Sequence, residues 1–79
     1  MATIKIYSTP TCVYCRMTKE FLDERSVPYT DYNVAQDASR RDEMIERSGQ
    51  MGVPVIDIDG KLIVGFDKAR LMELLEIKN

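Results

Sequence analysis

Seventy-nine residues, 44% apolar and 30% charged, set the expectation of one ordinary globular domain, residues 1–79. A net charge of −2, from 11 basic and 13 acidic residues well mixed along the chain, marks out no surface for nucleic acid or an anionic membrane. The chain is too short to enclose a flavin-sized cofactor and keep a core, no run reaches the length of a membrane-spanning helix, and two cysteines without histidine cannot close a four-ligand zinc site within one chain.

The elements follow in chain order. Thr3 to Tyr7 alternates and predicts a strand. Ser8-Thr9-Pro10-Thr11 predicts a turn, with Thr11 placed to cap the next helix. From Val13 to Arg25, Val13, Met17, Phe21 and Leu22 form the expected apolar stripe, with Lys19, Glu20, Asp23 and Glu24 on the wet face. Ser26-Val27-Pro28 ends that helix, and Tyr29 to Val34 predicts a second strand. A second helix runs from Asp37-Ala38-Ser39 to Ser48, with Ser39 and Asp42 as a capping pair and Gly49 as a left-handed stop. Only Met44 and Ile45 are strongly apolar there, and Arg40-Arg41 is expected to face water. Met44, Met51 and Met72 are expected to pack in the core or at its edge. Val53 to Ile58, then Asp59-Gly60, then Lys61 to Val64 is a strong hairpin signal. Gly65-Phe66 turns into a last helix capped by Asp67, with Leu71, Met72, Leu74 and Leu75 inward.

The order is therefore βαβαββα. A strand–helix–strand unit makes its strands parallel, and a hairpin adds antiparallel ones. The expected fold is α/β, with a four-stranded mixed sheet and helices on both faces.

The chemistry is concentrated in Cys12-Val13-Tyr14-Cys15. This spacing spans one helical turn, so both sulfurs can share one face. A helix start carries unpaired N–H groups and partial positive charge, which favour a thiolate. The second thiol can then resolve whatever the first attacks, as dithiol–disulfide exchange requires. Cys12, at the helix start, is the expected nucleophile, and Cys15 the more buried resolving thiol. Arg16 and Lys19 add positive charge nearby. Other readings stay open. A structural bridge over so short a loop would contribute only about 2 kcal/mol. A copper-chaperone loop shares the C-x-x-C, but its βαββαβ order lacks the final helix. Two chains could also share a metal or cluster.

C-x-x-C at the first strand–helix junction, Val53-Pro54 opening the hairpin, and Gly65-Phe66-Asp67 before the last helix together resemble the glutaredoxin branch of the thioredoxin fold. Arg47-Ser48-Gly49 resembles it too. Tyr14 matches the family's Cys-Pro-Tyr-Cys, with Val13 in place of its proline, as in redoxins that donate electrons to ribonucleotide reductase. The resemblance implies a thiol–disulfide oxidoreductase, an electron carrier acting on protein or glutathione mixed disulfides. It implies substrate or glutathione contacts at Tyr14, Val53, Pro54, Gly65, Phe66 and Asp67, and a cis peptide before Pro54. The alternative is a dimer holding an iron–sulfur cluster through Cys12 and glutathione. Three positions depart from the family. Thr9 and Gln50 stand where cations often meet the glycyl carboxylate of glutathione, and Val64-Gly65 replaces Gly-Gly. Gly65-Phe66 resembles redoxins reduced by a thioredoxin-type flavoprotein reductase. The expectations are therefore glutathione or such a reductase as electron source, disulfide-containing proteins as partners, no tightly bound cofactor, no metal, no nucleic acid or membrane, and a monomer. No basic and then apolar leader follows Met1, so the expected location is cytoplasmic, where thiols stay reduced.

Overall fold

The computed structural model describes residues 3–76. Strand β1 spans Ile4–Ser8, helix α1 Val13–Glu24, β2 Thr30–Asn33, α2 Ala38–Ser48, β3 Val55–Ile58, β4 Lys61–Val64 and α3 Lys68–Leu75. The sheet order is β2-β1-β3-β4. β1 runs parallel to β2, with Ile6 opposite Asp31, and antiparallel to β3, with Ile6 opposite Ile56. β3 and β4 form the hairpin. The fold is the mixed four-stranded sheet expected from the element order, and it matches the thioredoxin fold that the resemblance implies.

Strand alternation sorts the core into two layers. Ile4, Ile6, Ile56, Ile58 and Ile63 meet Phe21 and Leu22 of α1 and Leu71 of α3. Tyr7, Val34 and Val55 meet Met44 of α2 on the other face. β3 is buried along its whole length because it is central and covered on both sides. In α3 only Leu71 is fully buried; Met72, Leu74 and Leu75 are half-buried against the same layer.

Local chemistry sets the ends. Asp59 and Gly60 both take positive φ, 51° and 91°, as a two-residue hairpin of this hand requires. The Asp57 carboxylate accepts the Gly60 N–H at 2.7 Å. Gly49 stops α2 in the left-handed region, φ 75°, as its position predicts.

Several expectations shift. The cap of α1 is Cys12, not Thr11, and the cap of α2 is Asp37, whose side chain accepts the Arg40 N–H, rather than Ser39 with Asp42. The inward face of α1 is Cys15, Thr18, Phe21 and Leu22, not a stripe through Val13 and Met17. Thr18 can lie inside because its hydroxyl donates to the Tyr14 carbonyl one turn back, at 2.9 Å. That rotation leaves Val13 58% exposed and Met17 at the rim. Met51 is exposed rather than packed. Lys19 is not on the wet face: its ammonium is 2.7 Å from Asp31. Arg40 lies over the Tyr32 ring, 4.1 Å from its centre, and pairs with Glu43; Arg41 faces water as expected.

Candidate active site

β1 delivers the chain to the top of the sheet, and the turn Thr9-Pro10-Thr11 reverses it into α1. The Cys12 N–H donates to the Thr9 carbonyl at 3.3 Å, which closes this turn. Cys12 then takes an extended conformation, and its sulfur accepts the Cys15 backbone N–H at 3.1 Å. A sulfur therefore stands where a hydroxyl or carboxylate would normally cap a helix. Among the described residues both cysteines are free thiols, with Cys12 half-buried and Cys15 buried.

Their surroundings differ in the way an exchange pair needs. Burial pushes the Cys15 thiol up to about 12, and its hydrogen bond with Cys12 pushes the same way; the Thr9 backbone and the Lys19 charge pull against them. Cys15 is therefore protonated at neutral pH until something changes beside it.

The second wall of the site comes from the start of the hairpin. The Cys12 thiol is directed at the Val53 carbonyl, 3.8 Å away. The Val53-Pro54 peptide is cis. Pro54 is buried, and its carbonyl accepts the Gly65 N–H at 2.8 Å. That bond joins Gly65, φ 83°, to the wall beside the thiol. Asp67 caps α3 by accepting the Arg70 N–H at 3.1 Å, and its side chain faces water. Tyr14, 61% exposed, projects from the first turn of α1. The structure thus brings Cys12, Cys15, Val53, Pro54 and Gly65 together. Phe66 is set differently: its ring meets Phe21 edge-on at 6.1 Å, in the floor of an open groove of about 240 Å³ between α1 and the start of α3. A second open cavity, about 340 Å³, lies beside Cys12, lined by Pro10, Thr11, Val13 and Arg16. Arg16 is largely exposed and only loosely paired with Glu20, at 3.8 Å.

Two polar clusters were not anticipated. Arg47 of α2 reaches Asp57 of β3 at 2.6 Å and donates to the Tyr7 hydroxyl at 3.4 Å, while that hydroxyl donates to Glu43 at 2.7 Å. Arg47 and Asp57 flank the loop that carries Val53, so the bridge ties its two ends. The second cluster joins Lys19, Asp31 and Ser8, with the Ser8 hydroxyl donating to Asp31 at 2.6 Å. A serine closing an apolar strand was the one signal in the sequence, but its partner Asp31 is 23 positions away on another strand, and Lys19 joins through Asp31 from α1.

The glutaredoxin family model matches residues 4–63. Over 73 residues the chain is 55% identical to an uncharacterised glutaredoxin-like 8.6 kDa protein in a rubredoxin operon of Clostridium pasteurianum, covering 92% of this chain and 97% of that one. It is 40% identical to glutaredoxin 3 of Escherichia coli over 67 residues, 85% of this chain and 81% of that one. Among solved structures, a mutant of a thioredoxin-like protein superposes with a TM-score of 0.91 at 33% identity, covering 99% of this chain and all of that one.

Proposed function

The chain belongs to the glutaredoxin family, and on that premise we propose that it is a dithiol oxidoreductase that reduces disulfides through Cys12 and Cys15. One observation carries the reading: a half-buried sulfur caps α1, facing the Val53 carbonyl, with a buried thiol one turn behind it. The Cys12 sulfur attacks a substrate disulfide, one substrate sulfur leaves, and a mixed disulfide forms on Cys12. Cys15 then displaces the second substrate sulfur, closing the Cys12–Cys15 disulfide. The Val53 backbone offers a short edge along which the substrate backbone can lie, with Tyr14 and Gly65 at its rim and Asp67 for an amino group.

The regenerating electrons come from a thioredoxin-type flavoprotein reductase at least as readily as from glutathione. Val13, Val64 and the uncharged Thr9 and Gln50 support this order; Tyr14 and Asp67 support the glutathione route. The working form is a monomer that holds no cofactor, and its partners are disulfide-bearing proteins. A reducing cytoplasm suits a free dithiol. Among the described residues no helix is long and apolar enough to cross a membrane.

Two substitutions test the assignment. Cys12→Ser abolishes reduction of a protein disulfide, since it removes the attacking sulfur. Cys15→Ser leaves attack intact and accumulates a mixed disulfide visible as added mass. Trapping on Cys15 in the Cys12→Ser protein would reverse the two roles. For the electron source, the oxidised protein is offered separately to glutathione with its reductase and to a thioredoxin-type reductase; rapid turnover with the first and none with the second overturns the order given.

A further inference from the structure

A resolving thiol must lose its proton before it can attack, and Cys15 is held against that loss. It is 1% exposed and shares a hydrogen bond with Cys12. Lys19 lies four positions on, so it occupies the same face of α1 one turn below. Its ammonium does not wander in solvent. It is 26% exposed and held 2.7 Å from Oδ2 of Asp31 on β2. The other Asp31 oxygen accepts the Ser8 hydroxyl at 2.6 Å, and Ser8 is buried at the end of β1. Ser8 and Asp31 both point to the α1 side of the sheet. Two strands therefore fix one cation beneath the dithiol turn, whereas Arg16 points into water.

We infer that Lys19, held by Asp31 and Ser8, is a positioning residue for the second half of exchange, its fixed charge stabilising the Cys15 thiolate as it forms under a mixed disulfide. The inference rests on the dithiol reading above. In that half-reaction the Cys15 thiol gives its proton to water, and its sulfur attacks Cys12 Sγ. The bond from Cys12 to the substrate sulfur breaks, and that sulfur leaves with the electron pair and takes up a proton. Both cysteines end oxidised in one disulfide, and the substrate ends as a thiol. The groups facing Cys15 are Cys12 and Lys19 on α1 and the Thr9 backbone in the turn. Those facing Lys19 are Cys15 and, across from β2, Asp31, which Ser8 and Tyr29 approach in turn. The charge matters only in the second step, because the first uses the Cys12 sulfur at the rim.

The reduced protein mixed with dithiobis-nitrobenzoate reads both steps at once. Attack by Cys12 releases one coloured thiolate, and closure by Cys15 releases the second. Lys19→Met is expected to leave the first phase within about twofold and slow the second about tenfold near neutral pH, the factor that belongs to one pK unit. The deficit should shrink as pH rises, and Lys19→Arg should restore the second phase. A second phase unchanged in both Lys19→Met and Lys19→Gln overturns the inference. Equal slowing of both phases also overturns it, since Lys19 would then be a structural prop. An unmodified protein that releases no second thiolate sinks the dithiol reading itself, which keeps the two failures apart.

Discussion

Cys15 and Cys12 are the same residue type three positions apart, and their difference is one of place. Burial raises the Cys15 thiol, so it links folding to pH. Below the ordinary thiol value both folded and unfolded chains keep this proton, and its contribution to stability is whole. As pH climbs from there toward about 12, the unfolded chain releases a proton that the folded chain retains, and the contribution is lost. The reduced protein should therefore lose Tm between about pH 8 and pH 10 more steeply than its Cys15→Ala variant. Parallel Tm curves would show that the thiol is less confined than its 1% exposure indicates. Thr9 and Gln50 pose a different residue-scale question. Both are half-buried at the site's approaches. If missing carboxylate contacts limit glutathione use, Thr9→Lys with Gln50→Arg should raise glutathione-coupled turnover by up to about tenfold, the equivalent of 1.4 kcal/mol. The gain should fade at high salt. No gain at low salt would remove these two positions from the explanation.

At the scale of elements, helix starts carry much of the site. α1 begins on the Cys12 sulfur and α3 on the exposed Asp67 carboxylate. The observed cap at Asp67 and its proposed amino-group contact separate by substitution. Asn caps a helix about as well as Asp, so Asp67→Asn should keep Tm while lowering glutathione-coupled turnover through the lost charge. Asp67→Ala should also cost about 1 kcal/mol of stability. Turnover unchanged in both would leave Asp67 as a cap alone. The loop before β3 is held by a different device. Arg47 and Asp57 bridge its ends, Ser48 accepts the Gln50 N–H, and Pro54 accepts from Gly65, so the Val53 carbonyl is presented from a braced segment.

For the whole molecule, the margin is small. A domain of this length has roughly 4–12 kcal/mol of stability. Its Cα radius of gyration, 11.7 Å, matches the roughly 12 Å expected of a folded chain this long, so little slack remains to absorb a cavity. Ile56 lies on the central strand with no exposed surface and packs under both α1 and α3. Ile56→Ala should cost about 2–5 kcal/mol and leave the protein near its unfolding threshold at room temperature. Urea unfolding monitored by circular dichroism measures this; a loss below about 1 kcal/mol would mean the two layers close over the gap.

Local pattern was enough for the element order, the Asp59-Gly60 hairpin, the Gly49 stop and the Asp67 cap, because turn and cap geometry depends on the few residues that form it. The Cys12/Cys15 spacing was legible for the same reason: one helical turn is a local distance. The inward face of α1 was not. Val13 and Met17 are as apolar as any buried residue, and only the fit of α1 against the sheet turned Cys15 and Thr18 inward in their place. Nor was the burial of Asp57, which a strand pattern alone places beside water until Arg47 arrives from another element. The same holds for Lys19, which helical periodicity assigns to solvent. Packing against β2 brings Asp31 to meet it, and contacts between residues far apart in the chain exist only once the chain has folded.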